Sequence, residues 1–312
     1  MFEKQRTIKN EISMSGVGLH TGNTCNMTFR PAPPDHGIRF VRADLPGSPS
    51  VIADIDHVVD ISRGTTLQDG EALVHTVEHV LAAFAGLQID NLVVELDNNE
   101  PPVGDGSSRP YVDKLLDAGI ITQDADKEYL EIDTPMAYSE PERNVDLVVA
   151  PSDDLRITFL IDYKNPALGT QYTTLVDLEK EFVDEFAPAR TFCFLSEVEA
   201  LKGAGLIRGG GLQNAIVIYD SDGGQVEVDR IRDALDLEEK AFVGETGIIN
   251  DIALRFPNEP VRHKALDLLG DLALIGVPFK GHVLAARSGH KANVALARKM
   301  RELYKKKKIA GR

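Results

Sequence analysis

The chain has 312 residues, beyond the length at which one hydrophobic core usually stops growing, so two domains are expected. Hydrophobic residues at 43% and charged residues at 27% are globular proportions and exclude a disordered chain. Asp and Glu number 49 against 34 Lys and Arg, a net charge of −15 that argues against nucleic-acid binding, and the two cysteines, Cys25 and Cys193, exclude a disulfide framework or a thiolate zinc site and fit a reducing cytosol.

Residues 1–6 lack the apolar core of a signal peptide. No stretch reaches the roughly 20 apolar residues of a membrane span. The richest, 265–279, is broken by Asp267, Gly270 and Asp271. The expectation is a soluble cytoplasmic protein with no transmembrane segment. In chain order, β-branched or alternating runs predict strands at 24–29, 38–42 and 91–96. Apolar residues at three- and four-residue spacing predict helices at 73–85 and 109–118. A polar break at 122–128 places a domain boundary near 125, giving domains 1–125 and 126–312. Strands are then expected at 145–149, 156–161, 215–219 and 281–286, and helices at 196–203, 261–275 and 292–306.

The two halves look related. Ala32-Pro33-Pro34-Asp35 precedes one strand and Ala150-Pro151-Ser152-Asp153 another; His79 is followed seven residues later by Gly86, and His263 seven later by Gly270. Gly106-Ser107-Ser108 and Ser288-Gly289-His290 each lead into a helix. The common order suggests a duplicated α+β unit, with the two histidines meeting where the halves face each other. Clefts between domains are common ligand sites.

Two constellations carry chemistry. In His75-Thr76-Val77-Glu78-His79, residues four apart share a helical face and a carboxylate lies beside an imidazole. Imidazole suits zinc, and the carboxylate is placed to take a proton from water. Two hydrogen-bonded core histidines explain the string about equally well. His263 and Asp267 have the same spacing on a second, largely apolar helix, with Asp271 one turn on and placed to orient an imidazole. A solvated acidic stripe is the alternative, but with Leu on nearly every side some of these acids must face something buried. His290 at a helix start, the 189–194 segment with its Phe pair, and Gly209-Gly210-Gly211 are weaker signals, the last lacking a P-loop lysine. The basic end, 305–308, reads as a solvated helix end or a linker. Three readings stay open on these residues. One is a metal site drawn from both helices, another an inverted zinc-peptidase motif using His75, Glu78 and His79, and the third a non-catalytic structural or carbohydrate-binding module.

Thr76-Val77-Glu78-His79 with Ala82-Ala83-Phe84-Ala85-Gly86 and Ile89-Asp90-Asn91 resembles the signature of the UDP-3-O-acyl-N-acetylglucosamine deacetylases of lipid A biosynthesis. The likeness continues, in order, through Gly16-Val17-Gly18-Leu19-His20, Asp105-Gly106-Ser107-Ser108, Ala189-Arg190-Thr191-Phe192, Val261-Arg262-His263-Lys264 with Asp267 and Gly270-Asp271, and Ser288-Gly289-His290. It implies two similar two-layer α/β sandwich domains with the active site at their interface. It implies zinc, with iron(II) also suited, held by His79, His263 and Asp267, and Glu78 as general base. His290 would be the acid or oxyanion-stabilising imidazole, supported by Asp271, and Thr191 a hydroxyl on the oxyanion. Lys264 would reach the nucleotide phosphates and Tyr163 the uracil, with Phe192, Leu19 and His20 as further substrate contacts. The acyl chain would follow an insert near 193–215. The implied reaction removes the N-acetyl group from UDP-3-O-(3-hydroxyacyl)-N-acetylglucosamine, the committed step of lipid A biosynthesis. One departure is an extended acidic insert near 220–250. Part of the family carries a fused 3-hydroxyacyl-carrier-protein dehydratase. Oligomeric state is open, a monomer being compatible with the sequence.

Overall fold

The computed structural model describes residues 3–220, Asp229, Arg232 and 241–310. The acidic insert expected near 220–250 therefore falls largely outside the described residues.

The chain opens with β1 (Lys4–Ile8), β2 (Ile12–Val17), β3 (Thr24–Pro31), β4 (Ile38–Arg42) and β5 (Ser50–Ile52). A small antiparallel sheet follows, of β6 (Val58–Asp60), β7 (Thr66–Asp69) and β8 (Ala72–Val74). Then come helix α1 (Glu78–Gly86), β9 (Leu92–Leu96) and helix α2 (Arg109–Ala118). The main sheet has the order β2-β3-β9-β4-β5, with β4 and β9 parallel and the other neighbours antiparallel. Side chains alternate across it, so Cys25, Met27 and Phe29 of β3 enter the core while Thr24 and Asn26 face out. Val80 to Phe84 make α1 apolar on every side, and all of it but Ala85 is buried, with Phe84 edge-on to Phe29 at 5.6 Å between ring centres.

The second half repeats the plan. It runs through β10 (Ile120–Asp126), β11 (Leu130–Glu131), β12 (Met136–Glu140), β13 (Val145–Ala150), β14 (Leu155–Asp162), β15 (Thr170–Leu175) and the single turn α3 (Leu178–Glu181). After these come β16 (Phe192–Phe194), α4 (Leu195–Gly203), β17 (Ile216–Ile218), α5 (Glu259–Ala273), β18 (Phe279–Ala286) and α6 (His290–Ala310). Its main sheet has the order β12-β13-β18-β14-β15, with β11 added beside β18. Here β14 and β18 are the parallel pair, matching β4 and β9. In each sheet the central strand is entered from a buried helix, α1 or α5, and left towards an outer one, α2 or α6. The α+β duplication expected from weak sequence matches is present as one topology built twice.

Two local expectations fail for identifiable reasons. The helix expected from 73 begins at Glu78, and 72–74 is strand β8. Thr76 has a φ of +52°, which no helix accommodates, and it is held there by a 2.7 Å hydrogen bond from its hydroxyl to buried Glu100. The polar break at 122–128 contains β10, which pairs antiparallel with β1 in the register Arg6↔Thr122 and Ile8↔Ile120. The amide of Asn91 ties these strands together by donating to Gln5 and Gln123, each at 2.8 Å. The basic chain end is the last part of α6, with Lys305, Lys307 and Lys308 ion-paired to Asp56, Asp133 and Glu128. No described helix is long and apolar enough to cross a membrane.

The two buried helices pack directly on each other. A Cβ added at Gly270 of α5 would lie 2.0 Å from the carbonyl oxygen of Glu78 on α1, a distance no contact tolerates. Gly270→Ala is therefore expected to force the helices apart and destabilise the fold by roughly 1–3 kcal/mol. That corresponds to a melting temperature lower by about 2–10 °C in thermal unfolding. An unchanged melting temperature would show that the crossing is looser than its geometry.

Candidate metal-dependent active site

The crossing of α1 and α5 places His79 opposite His263 and Asp267, one turn apart on α5. Nε2 of His79 lies 3.4 Å and Nε2 of His263 3.3 Å from Oδ1 of Asp267. The three ligand atoms lie within 4.8 Å of one another and all three residues are buried. Oδ1 of Asp267 has no hydrogen-bond partner among the described residues, an orphaned buried oxygen between two imidazoles. Ligands about 2.0–2.2 Å from a tetrahedral zinc sit roughly 3.3–3.5 Å apart, so this donor set fits such a cation. Nδ1 of His263 donates to the carbonyl of Ala189 at 2.9 Å, which leaves the Nε2 lone pair facing inward. On α1, the Ser108 hydroxyl donates to the carbonyl of His79 at 2.6 Å.

The electrostatics suit a cation as well. Burial opposes the charge on Asp267, yet His263 and Lys264 hold its carboxyl well below the usual carboxylate range. The Lys264 ammonium sits 3.0 Å from the other oxygen, Oδ2. Burial pushes His263 down to about 4, keeping it the neutral imidazole that a metal requires. Burial works against charge on His79 too, but the Asp267 carboxylate beside it draws its pKa above the ordinary value.

Beside the triad lies an acid–base pair. Glu78, the first residue of α1, accepts the Thr65 N–H on Oε2 at 2.8 Å, and its Oε1 is 3.9 Å from Nε2 of His290. Burial pushes the Glu78 carboxyl up, partly offset by His290 and His79. His290 opens α6 and donates from Nδ1 to Asp271 at 2.9 Å. Asp271 is fully buried and also accepts from the Thr65 hydroxyl at 2.6 Å and the Asn293 amide at 2.8 Å. Burial disfavours charge on His290, but Asp271 and Glu78 carry it up to about 9. One threonine thus bridges the carboxylates on both sides of the site.

These groups open on a cavity of about 310 Å³. Thr191 lines it from the segment before β16, where its N–H donates to the Gly106 carbonyl at 2.8 Å. Tyr163, just past β14, meets Phe192 and Phe194 edge-on at 5.9 and 5.2 Å, and the Lys264 ammonium lies 5.6 Å from the Phe192 ring centre. Leu19 and His20 form another wall, and both ring nitrogens of His20 are buried without a hydrogen-bond partner among the described residues. One arm is apolar, lined by Phe194, Val198, Leu201, Ile207 and Val217, so the insert near 193–215 does wall the cavity. Every residue that the family resemblance assigns to the site lines this space except Asp271, which stands behind His290.

His75 does not join them. It hydrogen-bonds Thr66 at 3.1 Å and lines a separate cavity, because the left-handed Thr76 turns it off the face it would share with His79 on a continuous helix. The pairing needed for an inverted peptidase motif is not formed. Sequence reasoning gave no role to Thr65, Ser108, Asn293 or the Ala189 carbonyl, each a supporting hydrogen-bond partner. Only Ser108, in a turn leading to a helix, carried a local signal.

The profile of the family described as UDP-3-O-acyl N-acetylglycosamine deacetylase matches residues 5–234 and 230–302 of this chain. A protein of Chlorobaculum tepidum named bifunctional enzyme LpxC/FabZ is 52% identical over 311 residues, covering 99% of this chain and 67% of that protein. One of the same name from Porphyromonas gingivalis is 41% identical, covering 97% and 65%. A Chlamydia abortus protein named UDP-3-O-acyl-N-acetylglucosamine deacetylase is 39% identical, covering 97% of this chain and 99% of that one. The chain therefore spans about two thirds of the bifunctional relatives and nearly all of the chlamydial one.

Proposed function

The chain belongs to the UDP-3-O-acyl N-acetylglycosamine deacetylase family, and on that premise we propose that it removes the N-acetyl group from UDP-3-O-(3-hydroxyacyl)-N-acetylglucosamine in the cytoplasm. The observation that carries this reading is the convergence of His79, His263 and Asp267 beside Glu78 and His290 in a cavity with an apolar arm. His79, His263 and Asp267 would hold zinc, with iron(II) also suited to imidazole and carboxylate. Such a cation supplies Lewis acidity, polarising a carbonyl oxygen and easing loss of a proton from water.

The chain's own residues do the rest. Glu78 accepts the proton of the attacking water, whose oxygen bonds to the acetamide carbon. The protonated His290 and the Thr191 hydroxyl donate to the carbonyl oxygen as it gains negative charge. The carbon–nitrogen bond then breaks, a proton from Glu78 or His290 goes to the nitrogen, and acetate leaves the free glucosamine amine behind. Asp271 holds the His290 ring in place and keeps it charged. Lys264 would contact the nucleotide phosphates, Tyr163 and Phe192 the uracil side, and the partnerless His20 ring together with Leu19 a further part of the sugar nucleotide. The arm lined by Val198, Leu201 and Val217 takes the acyl chain, where each buried methylene contributes about 0.8 kcal/mol.

The test is acetate release from this substrate by the metal-loaded chain. The signal should vanish with a chelator and return with zinc or iron(II), and no acetate after metal is restored would overturn the proposal. The pH dependence follows from two groups. Glu78 must be ionised, and its pKa lies above the ordinary carboxylate value, so turnover rises as pH climbs through it. His290 must be protonated, so turnover falls as pH passes about 9. A bound cation shifts both limbs to lower pH, because it favours the less protonated forms. In Asp271→Asn the alkaline limb should move further down, because the carboxylate that accepts from His290 is gone. A kcat/KM–pH profile with an unmoved alkaline limb would remove His290 from the acid role.

A further inference from the structure

We propose that Glu259 and Arg190, which do not line the cavity, are positioning residues that set the Thr191 hydroxyl against the metal-binding helix. The proposal rests on the reading of Thr191 given above. Glu259 is the first residue of α5 and its carboxylate is fully buried. Its Oε1 accepts the Arg190 backbone N–H at 2.9 Å and the Arg190 Nε at 2.8 Å. Its Oε2 accepts Nη2 of Arg190 at 3.0 Å and the Arg255 backbone N–H at 2.6 Å. Arg190 has one further contact, from Nη2 to the Ala253 carbonyl at 2.8 Å.

Three consecutive residues at the cavity's edge are thereby fastened. Ala189 accepts from His263, Arg190 is clamped by Glu259, and the Thr191 N–H is held by Gly106. Two of these anchors, Glu259 and His263, lie four residues apart on one face of α5, the helix that also carries Asp267. The third, Gly106, packs closely on its surroundings, since a Cβ there would lie 1.8 Å from the Asn214 carbonyl. Helix α5 therefore carries two of the three candidate ligands and two of the three anchors that place the hydroxyl. A buried ion pair is weak evidence for stability, because desolvation consumes most of its attraction. A two-pronged arginine fork does fix geometry, and a hydroxyl must sit 2.7–3.1 Å from the developing oxyanion, as for any such donor. Displacing such a group by about 1 Å costs on the order of a hundredfold in rate.

The experiment is a double-mutant cycle on the metal-loaded chain, measuring acetate release, metal content and melting temperature. Thr191→Ala should lower kcat by about 100-fold. Arg190→Lys keeps the charge beside Glu259 but loses the fork, and should lower kcat by about 10- to 100-fold with KM within about twofold and metal content unchanged. In the Thr191→Ala background the same substitution should lower kcat by less than about twofold, because its effect passes through the missing hydroxyl. Glu259→Gln should behave likewise, and Arg190→Lys carries the test should that variant not fold. A full Arg190→Lys loss persisting without Thr191, or no loss in its presence, overturns the positioning role while leaving the deacetylase reading intact. Unchanged turnover in Thr191→Ala itself sinks the oxyanion role and this proposal together.

Discussion

Asp267→Ala is expected to lose bound divalent metal and to turn over at least about a thousandfold more slowly than the unaltered chain. Two effects add at this residue. The substitution deletes the carboxylate oxygen to which both imidazoles converge, at 3.4 and 3.3 Å. It also releases the Lys264 ammonium, now 3.0 Å from Asp267, leaving an unpaired positive charge at the place where a cation would bind. His79→Ala and His263→Ala remove one neutral donor each without freeing Lys264, so their metal affinity should fall less steeply than that of Asp267→Ala. His75→Ala should keep full metal content, because its ring is engaged with Thr66 in another cavity. Metal analysis of the purified variants reads this directly, without reference to activity. Stoichiometric metal in Asp267→Ala, or its loss in His75→Ala, would dismantle the ligand set.

Much of this centre was legible because its groups lie close in sequence. Glu78 and His79 are adjacent, His263 and Asp267 are one turn apart, and Asp271 is one turn further. The duplication was legible for a similar reason, since each half repeats a histidine, a glycine seven residues on and a polar turn in the same order. What escaped depends on partners far along the chain. The helix start at 78 rather than 73 is set by a hydrogen bond between Thr76 and Glu100, and no window of helical periodicity contains that contact. Strands β1 and β10 are polar segments more than a hundred residues apart, joined through Asn91, so neither shows an apolar alternation of its own. Arg190 and Glu259 look like surface charges in isolation, and only tertiary packing buries them together. The acidic or imidazole groups that bear chemistry were found by type, whereas the hydroxyls and carbonyls that hold them have no signature, because any residue can present them.

Glu78→Gln separates the base from the metal site, and it should keep full metal content while losing about 10²- to 10⁴-fold in kcat. The amide is nearly the same shape, and its oxygen can still accept the Thr65 N–H that now binds Oε2 at 2.8 Å. The fit around the other oxygen is close, since a Cβ at Gly64 would lie 2.8 Å from Oε1, so the replacement should occupy the same slot. It cannot take a proton from water, and it no longer faces His290 with a negative charge across 3.9 Å. The first change removes the acid limb of the pH profile. The second removes one of the carboxylates that hold the imidazole up at about 9, so the alkaline limb should also move to lower pH. KM should stay within about twofold, because the amide occupies the same volume and only the step after binding has lost its base. A variant that retained full turnover would deny Glu78 the proton-accepting role. One that lost its metal would instead mean that the carboxylate helps to hold the cation, and the division of labour between α1's first two residues would have to be redrawn.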